Sequence, residues 1–256
     1  MNIQQFFFKL IVLVACYISS ATFAGVTITG TRIIFPSNQS SVTVQLNNPD
    51  DKPALVQAWL DSGDPKEIPK ASEIPFILTP PLTQIPSKKG QMLRLITKDN
   101  SLLPNDRESL FWFNILDVAA TEQEAGTEAN KLQVSIRSRI KLIYRPQQIK
   151  ISQDKAFSTT SFKYDDRTNI LSISNPSPYY INFYNVTINT GAENLVYSEP
   201  LMVAPFSTEA VEIKLTFKPT QINYALINDF GANRYYKAML VNGASQTVMQ
   251  VEQSTS

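Results

Sequence analysis

From Lys131 to Leu142 two kinds of residue alternate: Leu132, Val134, Ile136, Ser138, Ile140 and Leu142 at even positions, Lys131, Gln133, Ser135, Arg137, Arg139 and Lys141 at odd ones. A strand sends successive side chains to opposite faces, so this order puts one nearly all-apolar set opposite a polar, cationic one. A helix of period 3.6 would mix the two sets. The same period recurs in Val26-Thr27-Ile28-Thr29, Ser41 to Leu46, Ile170 to Ser174 and Ala210 to Leu215. Turn-forming clusters separate these segments: Asn47 to Asp51, Asp61 to Pro65 and Asn175-Pro176-Ser177-Pro178. Many short alternating segments with turns between them predict an all-β chain of antiparallel sandwiches.

The rhythm is interrupted at Arg145-Pro146-Gln147-Gln148, after the segment ending Leu142-Ile143-Tyr144. Proline cannot continue a central strand, and the pattern restarts afterwards. This predicts two domains, 25–146 and 147–256. Residues 1–24 read as a secretory signal: Lys9 is their only charge, an apolar core runs from Leu10 to Ile18, and small residues lead to a cut after Ala24. That apolar run is shorter than the roughly 20 residues a membrane span needs. Leu13-Val14-Ala15-Cys16 also resembles a lipoprotein cleavage box, but a cut there would leave only a stub of apolar core before it.

Composition excludes several chemistries. Cys16, the chain's one cysteine, falls in the signal, so the mature chain has no disulfide and depends on packed cores. There is no histidine. Ser-His-Asp and Cys-His catalysis are therefore excluded, as are imidazole and thiolate metal ligands. No cofactor or metal is implied. Lys9 apart, the basic and acidic residues balance, which gives no reason to expect nucleic acid or an anionic membrane as partner. The stretch Glu122 to Asn130 is a polar loop before the Lys131 segment, and Phe111-Trp112-Phe113 reads as core within a strand. Thr79-Pro80-Pro81 is a candidate for a cis peptide at a turn.

Periodicity leaves two readings of the Lys131 segment open. Its apolar face could pack in a sandwich core. Its first apolar residues could instead project from an exposed sheet edge, where an incoming chain pairs with the backbone and receives the side chains in a groove. An edge of the second kind promotes self-association unless a partner covers it.

The segment Leu103-Pro-Asn-Asp-Arg-Glu-Ser-Leu-Phe-Trp-Phe-Asn-Ile115 resembles the signature of PapD-like periplasmic pilus chaperones. Three further matches follow the family's order: Thr31-Arg32, Ile140-Lys141-Leu142-Ile143-Tyr144-Arg145-Pro146, and Ile227-Asn228-Asp229-Phe230-Gly231. With Asn175 to Tyr180 the resemblance spans essentially the whole mature chain. One departure is Asp117-Val118-Ala119-Ala120, where the family signature usually runs on into proline.

The resemblance implies two immunoglobulin-like domains set at an angle, and a chaperone that binds pilus or fimbrial subunits in the periplasm and delivers them to an outer-membrane usher. It matches Arg32 and Lys141 to a cleft pair that anchors the subunit's C-terminal carboxylate. Leu132, Val134 and Ile136 match the residues that fill a subunit's groove by donor-strand complementation. Glu108, Arg145 and Asp229 match charges that set the angle between domains. The short polar loop and the absent second-domain disulfide resemble the family's short-loop branch. The alternative is an immunoglobulin-like fimbrial adhesin or structural subunit. The lack of a disulfide and of a spare alternating segment near Gly25 weighs against it.

Overall fold

The computed structural model describes residues 25–66, 74–99, 101, 103–118 and 134–252. The signal read over 1–24, the polar loop Glu122 to Asn130, and Leu132 lie outside the described residues.

The first half forms two facing sheets. One contains β1 (Thr27–Ile28), β3 (Ser41–Asn47), β7 (Gly90–Thr97) and β5 (Phe76–Thr79), in that order. The other runs β2 (Arg32–Pro36), β9 (Ile136–Arg145), β8 (Ser109–Val118), β4 (Ala54–Asp61) and β6 (Leu82–Ile85). Their inner faces enclose Phe35, Leu46, Val56, Leu93, Leu95, Phe113 and Leu142, all fully buried or nearly so. The peptide bond Thr79–Pro80 is cis.

The second half is one sheet curled on itself. Its order is β13 (Asn194–Tyr197), β12 (Ile181–Asn189), β16 (Gln221–Ile227), β17 (Asn233–Val241), β18 (Ala244–Val251), β10 (Ser161–Asp165), β11 (Ile170–Asn175) and β15 (Ser207–Glu212); β14 (Leu201–Val203) also pairs with β12. Only Lys163↔Ala244 joins β10 to β18, so the sheet bends sharply there. Phe162, Ile173, Ile188, Val203, Tyr224 and Tyr236 lie in its core. The short helix α1 (Gln153–Phe157) precedes β10, with Ser152 as its N-cap. Both halves are thus β-sandwiches, as the alternation predicts, and immunoglobulin-like, as the family resemblance implies.

Burial along β9 answers the question left by its pattern. Leu142 is fully buried, Ile136 is 49% exposed and Val134, just before the strand, is 61% exposed. Core and exposed edge are both present on one face, at opposite ends. The reason is topological. β2 pairs with β9 in parallel, from Arg32↔Lys141 to Pro36↔Arg145. Among the described residues no strand flanks Ile136 to Ile140 on that side, while β8 pairs with them on the other.

Phe111-Trp112-Phe113 needs a correction, because only the two phenylalanines enter the core. Strand alternation turns Trp112 to the outer face, where Arg139 Cζ stacks 4.0 Å and Lys141 Nζ 5.5 Å from its ring centroid.

Candidate functional site

Arg32 and Lys141 are register partners at the start of the β2–β9 pairing. Both are partly buried. Arg32 Nη1 donates to the Ile227 carbonyl at 3.2 Å, across the junction of the two halves. Its Nε is buried without a partner. The Lys141 ammonium has the Trp112 ring and makes no ion pair among the described residues. Burial pushes its pKa below the ordinary lysine value, and the neighbouring Arg32 charge pushes it further in the same direction. Burial likewise lowers Arg32, against the opposing pull of Asp229 and Glu108. Two partly desolvated cations, adjacent in register, have the chemistry to hold an anion, and one oxygen pair could accept charge-assisted hydrogen bonds from both.

The outer face of β9 is held by groups absent from the sequence-based assignment. Asp61, read there as part of a turn cluster, ends β4 with a carboxylate only 1% exposed. Arg139 donates to both its oxygens, with Nε at 3.1 Å from Oδ2, and Asn114 Nδ2 donates to Oδ2 at 2.8 Å. Burial would raise the Asp61 pKa, but the hydrogen bonds from Arg139, Asn114 and Gly63 and the Arg139 charge hold it below its ordinary value. Arg137 stacks 4.9 Å from the Trp59 centroid and donates to Asn114 Oδ1 at 2.7 Å. The odd-numbered face of β9 is thereby clamped to β8 and β4, and its even-numbered face opens outward at Ile136. Asp61 gave no signal, because Asp-Ser-Gly-Asp-Pro is turn chemistry whether or not its first residue is buried.

Glu108, Arg145 and Asp229 meet at the junction. Arg145 Nε donates to Glu108 Oε1 at 2.7 Å, and its two Nη groups donate to the Asp229 oxygens at 2.6 and 2.8 Å. The fork faces Asp229, so Glu108 receives a single N–H from it, and a second from Tyr180 N at 2.7 Å on Oε2. Burial therefore prevails at Glu108 and raises its pKa to about 6, against the Arg145 charge and the Tyr180 N–H. At Asp229 burial is outweighed by the hydrogen bonds and charge of Arg145, with help from Gln153, and the carboxyl is held below its ordinary value. Burial depresses Arg145, yet its two carboxylate partners more than compensate and raise it.

Local structure presents these groups. Asn175, buried 99% in the turn that begins Asn175-Pro176, donates to the Tyr179 and Ala204 carbonyls at 2.7 and 2.8 Å. That turn sets the Pro178 carbonyl to accept from Glu108 N at 2.9 Å. Asn228 Oδ1 accepts from Phe230 N and Ala232 N at 3.0 and 2.9 Å, fixing the loop that carries Asp229. In this loop Gly231 has φ +81°, and a Cβ there would lie 2.7 Å from Thr31 Oγ1 in the other half. Glycine is required twice over, for its backbone conformation and for the close approach. Gln153 on α1 adds a hydrogen bond to Asp229 Oδ1 at 2.9 Å. Neither Gln153 nor the Tyr180 backbone was among the sequence-assigned residues.

The structure thus brings the three interdomain charges together, sets Arg32 beside Lys141, and exposes Val134 and Ile136 where β9 begins. Two immunoglobulin-like sandwiches, in contact through the Arg145 ion triad and carrying one strand whose edge is unpaired among the described residues, define a two-domain β protein with an edge suited to strand addition. Comparison with known proteins agrees. Residues 25–150 match the family described as "Pili and flagellar-assembly chaperone, PapD N-terminal domain", and residues 155–238 match "Pili assembly chaperone PapD, C-terminal domain". "Chaperone protein HifB" of Haemophilus influenzae is 39% identical over 219 residues, 84% of this chain and 88% of that protein. The YadV chaperone crystal structure superposes with a TM-score of 0.70 at 35% identity, covering 85% of this chain and all of that one. The Salmonella enterica SafA pilin–SafB chaperone complex gives a TM-score of 0.71 at 26% identity, over 87% of this chain and 99% of that one. The chain belongs to the PapD-like pilus-assembly chaperones, a periplasmic family of chaperones rather than of enzymes. Among the described residues, no helix is long and apolar enough to cross a membrane.

Proposed function

We propose that this chain works in the periplasm, where it catalyses no reaction and captures pilus subunits by lending them β9 before passing them to an outer-membrane usher. Within it, 25–146 would present the strand and 147–256 would complete the cleft. The stretch between β8 and β9 suits the short-loop branch of the family. The observation that carries this reading is the Arg32–Lys141 pair: two partly buried cations, adjacent in register, at the point where β9 loses its second neighbour. A subunit strand added along the open edge would end with its C-terminal carboxylate on that pair. Val134 and Ile136, with Leu132 before them, would fill the groove alongside it, which is β-strand addition with alternate side chains supplying specificity. Glu108, Arg145 and Asp229 would hold the two domains at the angle the cleft needs.

Lys141→Ala tests the anchor. Subunits co-expressed with the variant are expected to be lost from periplasmic pull-downs, while the variant unfolds cooperatively at an unchanged or higher midpoint. Removing a desolvated cation beside another should not weaken the fold. Undiminished subunit recovery would overturn the assignment.

A further inference from the structure

Gly25 begins the described chain against a carboxylate. Val26 N donates to Asp117 Oδ2 at 2.9 Å. A Cβ built on Gly25 would lie 2.7 Å from that same oxygen and 3.4 Å from Ile136 Cδ1. For a carbon, 2.7 Å is a clash. For an ammonium nitrogen it is the length of a charge-assisted hydrogen bond to a carboxylate.

Cutting the chain before Gly25 makes that exchange available. A terminal glycine carries one nitrogen and two hydrogens on Cα, and with no preceding residue it turns freely about its Cα–C bond. One of its three staggered positions is the one a Cβ would take, and the N–Cα bond is about 1.46 Å, close to a C–C bond in length. A turn of about 120° from the present backbone nitrogen position fills that place without moving Val26, because the axis is the Cα–C bond itself. Only hydrogens then occupy the other two positions.

We infer that removal of residues 1–24 creates an α-ammonium on Gly25 that pairs with the Asp117 carboxylate, so that processing itself completes an ion pair at the base of the presented strand. The inference rests on the reading of this chain as a secreted protein. Asp117 is the register partner of Ile136 on β9 and of Val56 on β4, both apolar, so no charged side chain directly opposite it competes for the ammonium. The pair would tether the chain terminus beside Ile136, the first residue of β9. An unprocessed precursor has an uncharged amide at Gly25 and lacks it.

The test uses the full chain, secreted and recovered from the periplasm of a Gram-negative host. Intact mass should place the terminus at Gly25. With glycine labelled by carbon-13, the Gly25 Cα resonance should titrate above the range of about 7.7–8.0 found for an unpaired α-amino group, and Asp117→Asn should return it to that range. A paired ammonium has a folded pKa above its unfolded one. Its stabilisation is therefore present below the unfolded value and lost as pH rises through the folded value. The melting midpoint of wild type should accordingly exceed that of Asp117→Asn at pH 7, with the gap narrowing by pH 10. Inserting one serine between Ala24 and Gly25 moves the terminus away and should leave its amino group titrating normally. A different terminus, a Gly25 titration within the unpaired range, or a titration unmoved by Asp117→Asn would each overturn the inference. None of these outcomes depends on subunit capture, so they are separable from failure of the chaperone reading.

Discussion

Arg145→Met isolates what the ion triad between the two halves contributes. The guanidinium makes three charge-assisted hydrogen bonds, one to Glu108 and two to Asp229, and stacks 4.9 Å from the Tyr179 ring centroid. Methionine keeps the apolar stem and loses all three bonds. The Glu108 side chain is 1% exposed and would keep only the Tyr180 N–H, whereas Asp229, at 23% exposed, is partly hydrated. Removing one member of a buried ion pair costs about 3–5 kcal/mol. The hydration of Asp229 places the expected loss near the bottom of that range, about 3 kcal/mol at pH 8. The sign of its pH dependence follows from Glu108. Its folded pKa of about 6 exceeds the ordinary 4.5, so the stability it contributes is complete below about 4.5 and declines as pH rises through 6. That decline amounts to about 2 kcal/mol, at 1.36 kcal/mol per pKa unit. Asp229 behaves oppositely, contributing above its ordinary 3.8 and losing that contribution as pH falls through its folded value. In the variant the Arg145 charge no longer opposes protonation of Glu108 and only the Arg32 charge remains nearby, so lowering the pH to 5 protonates the stranded Glu108 carboxyl and the penalty should shrink. Urea denaturation followed by tryptophan fluorescence at pH 5 and pH 8 measures both quantities. A penalty below about 1 kcal/mol, or one equal at the two pH values, would refute the reasoning.

Burial along β9 predicts unequal effects from similar truncations. Ile136→Ala should cost under about 1 kcal/mol, since half the side chain is already in water. Leu142→Ala should cost about 2–5 kcal/mol by leaving a cavity, and the two denaturation curves compare directly. Asp61→Asn puts an amide N–H where Arg139 or Asn114 now donates, so a loss of about 1–3 kcal/mol is expected at pH 7. The Asp61 carboxyl contributes above its ordinary 3.8, so this difference should diminish in acid; a gap that widened toward pH 3 would contradict the buried-carboxylate role.

The strands were legible because alternation is a local property: the Ser41, Ile170 and Lys131 segments show their faces in the order of residues. The point at which β9 passes from core to open edge was not, because it depends on β2 beginning at Arg32, more than 100 positions away in sequence. Trp112 was misplaced for a related reason. An aromatic run in a strand must alternate sides, and whether the outward ring meets solvent or cations depends on the neighbouring strand. Glu108, Arg145 and Asp229 were legible through a family motif, but Gln153 lies in no matched segment, and Tyr180, though inside the matched Asn175 to Tyr180 segment, acts through its backbone N–H, which carries no residue signature. Asp61 shows the same limit at a turn.

The point where β2 takes its place beside β9 has a metric consequence. A strand added along the open edge has room from Ile136 to Ile140 and then meets Arg32, which already occupies the pairing position of Lys141. Among the described residues the slot is closed at the Arg32 end. On the proposed reading a guest's advance toward the domain junction would be arrested at Arg32, and its register would be set by the end of its own chain. The same side chains that could grip a carboxylate would also act as a stop, so a guest with one extra residue after its last paired position would sit one residue out of register and turn the wrong face to the groove.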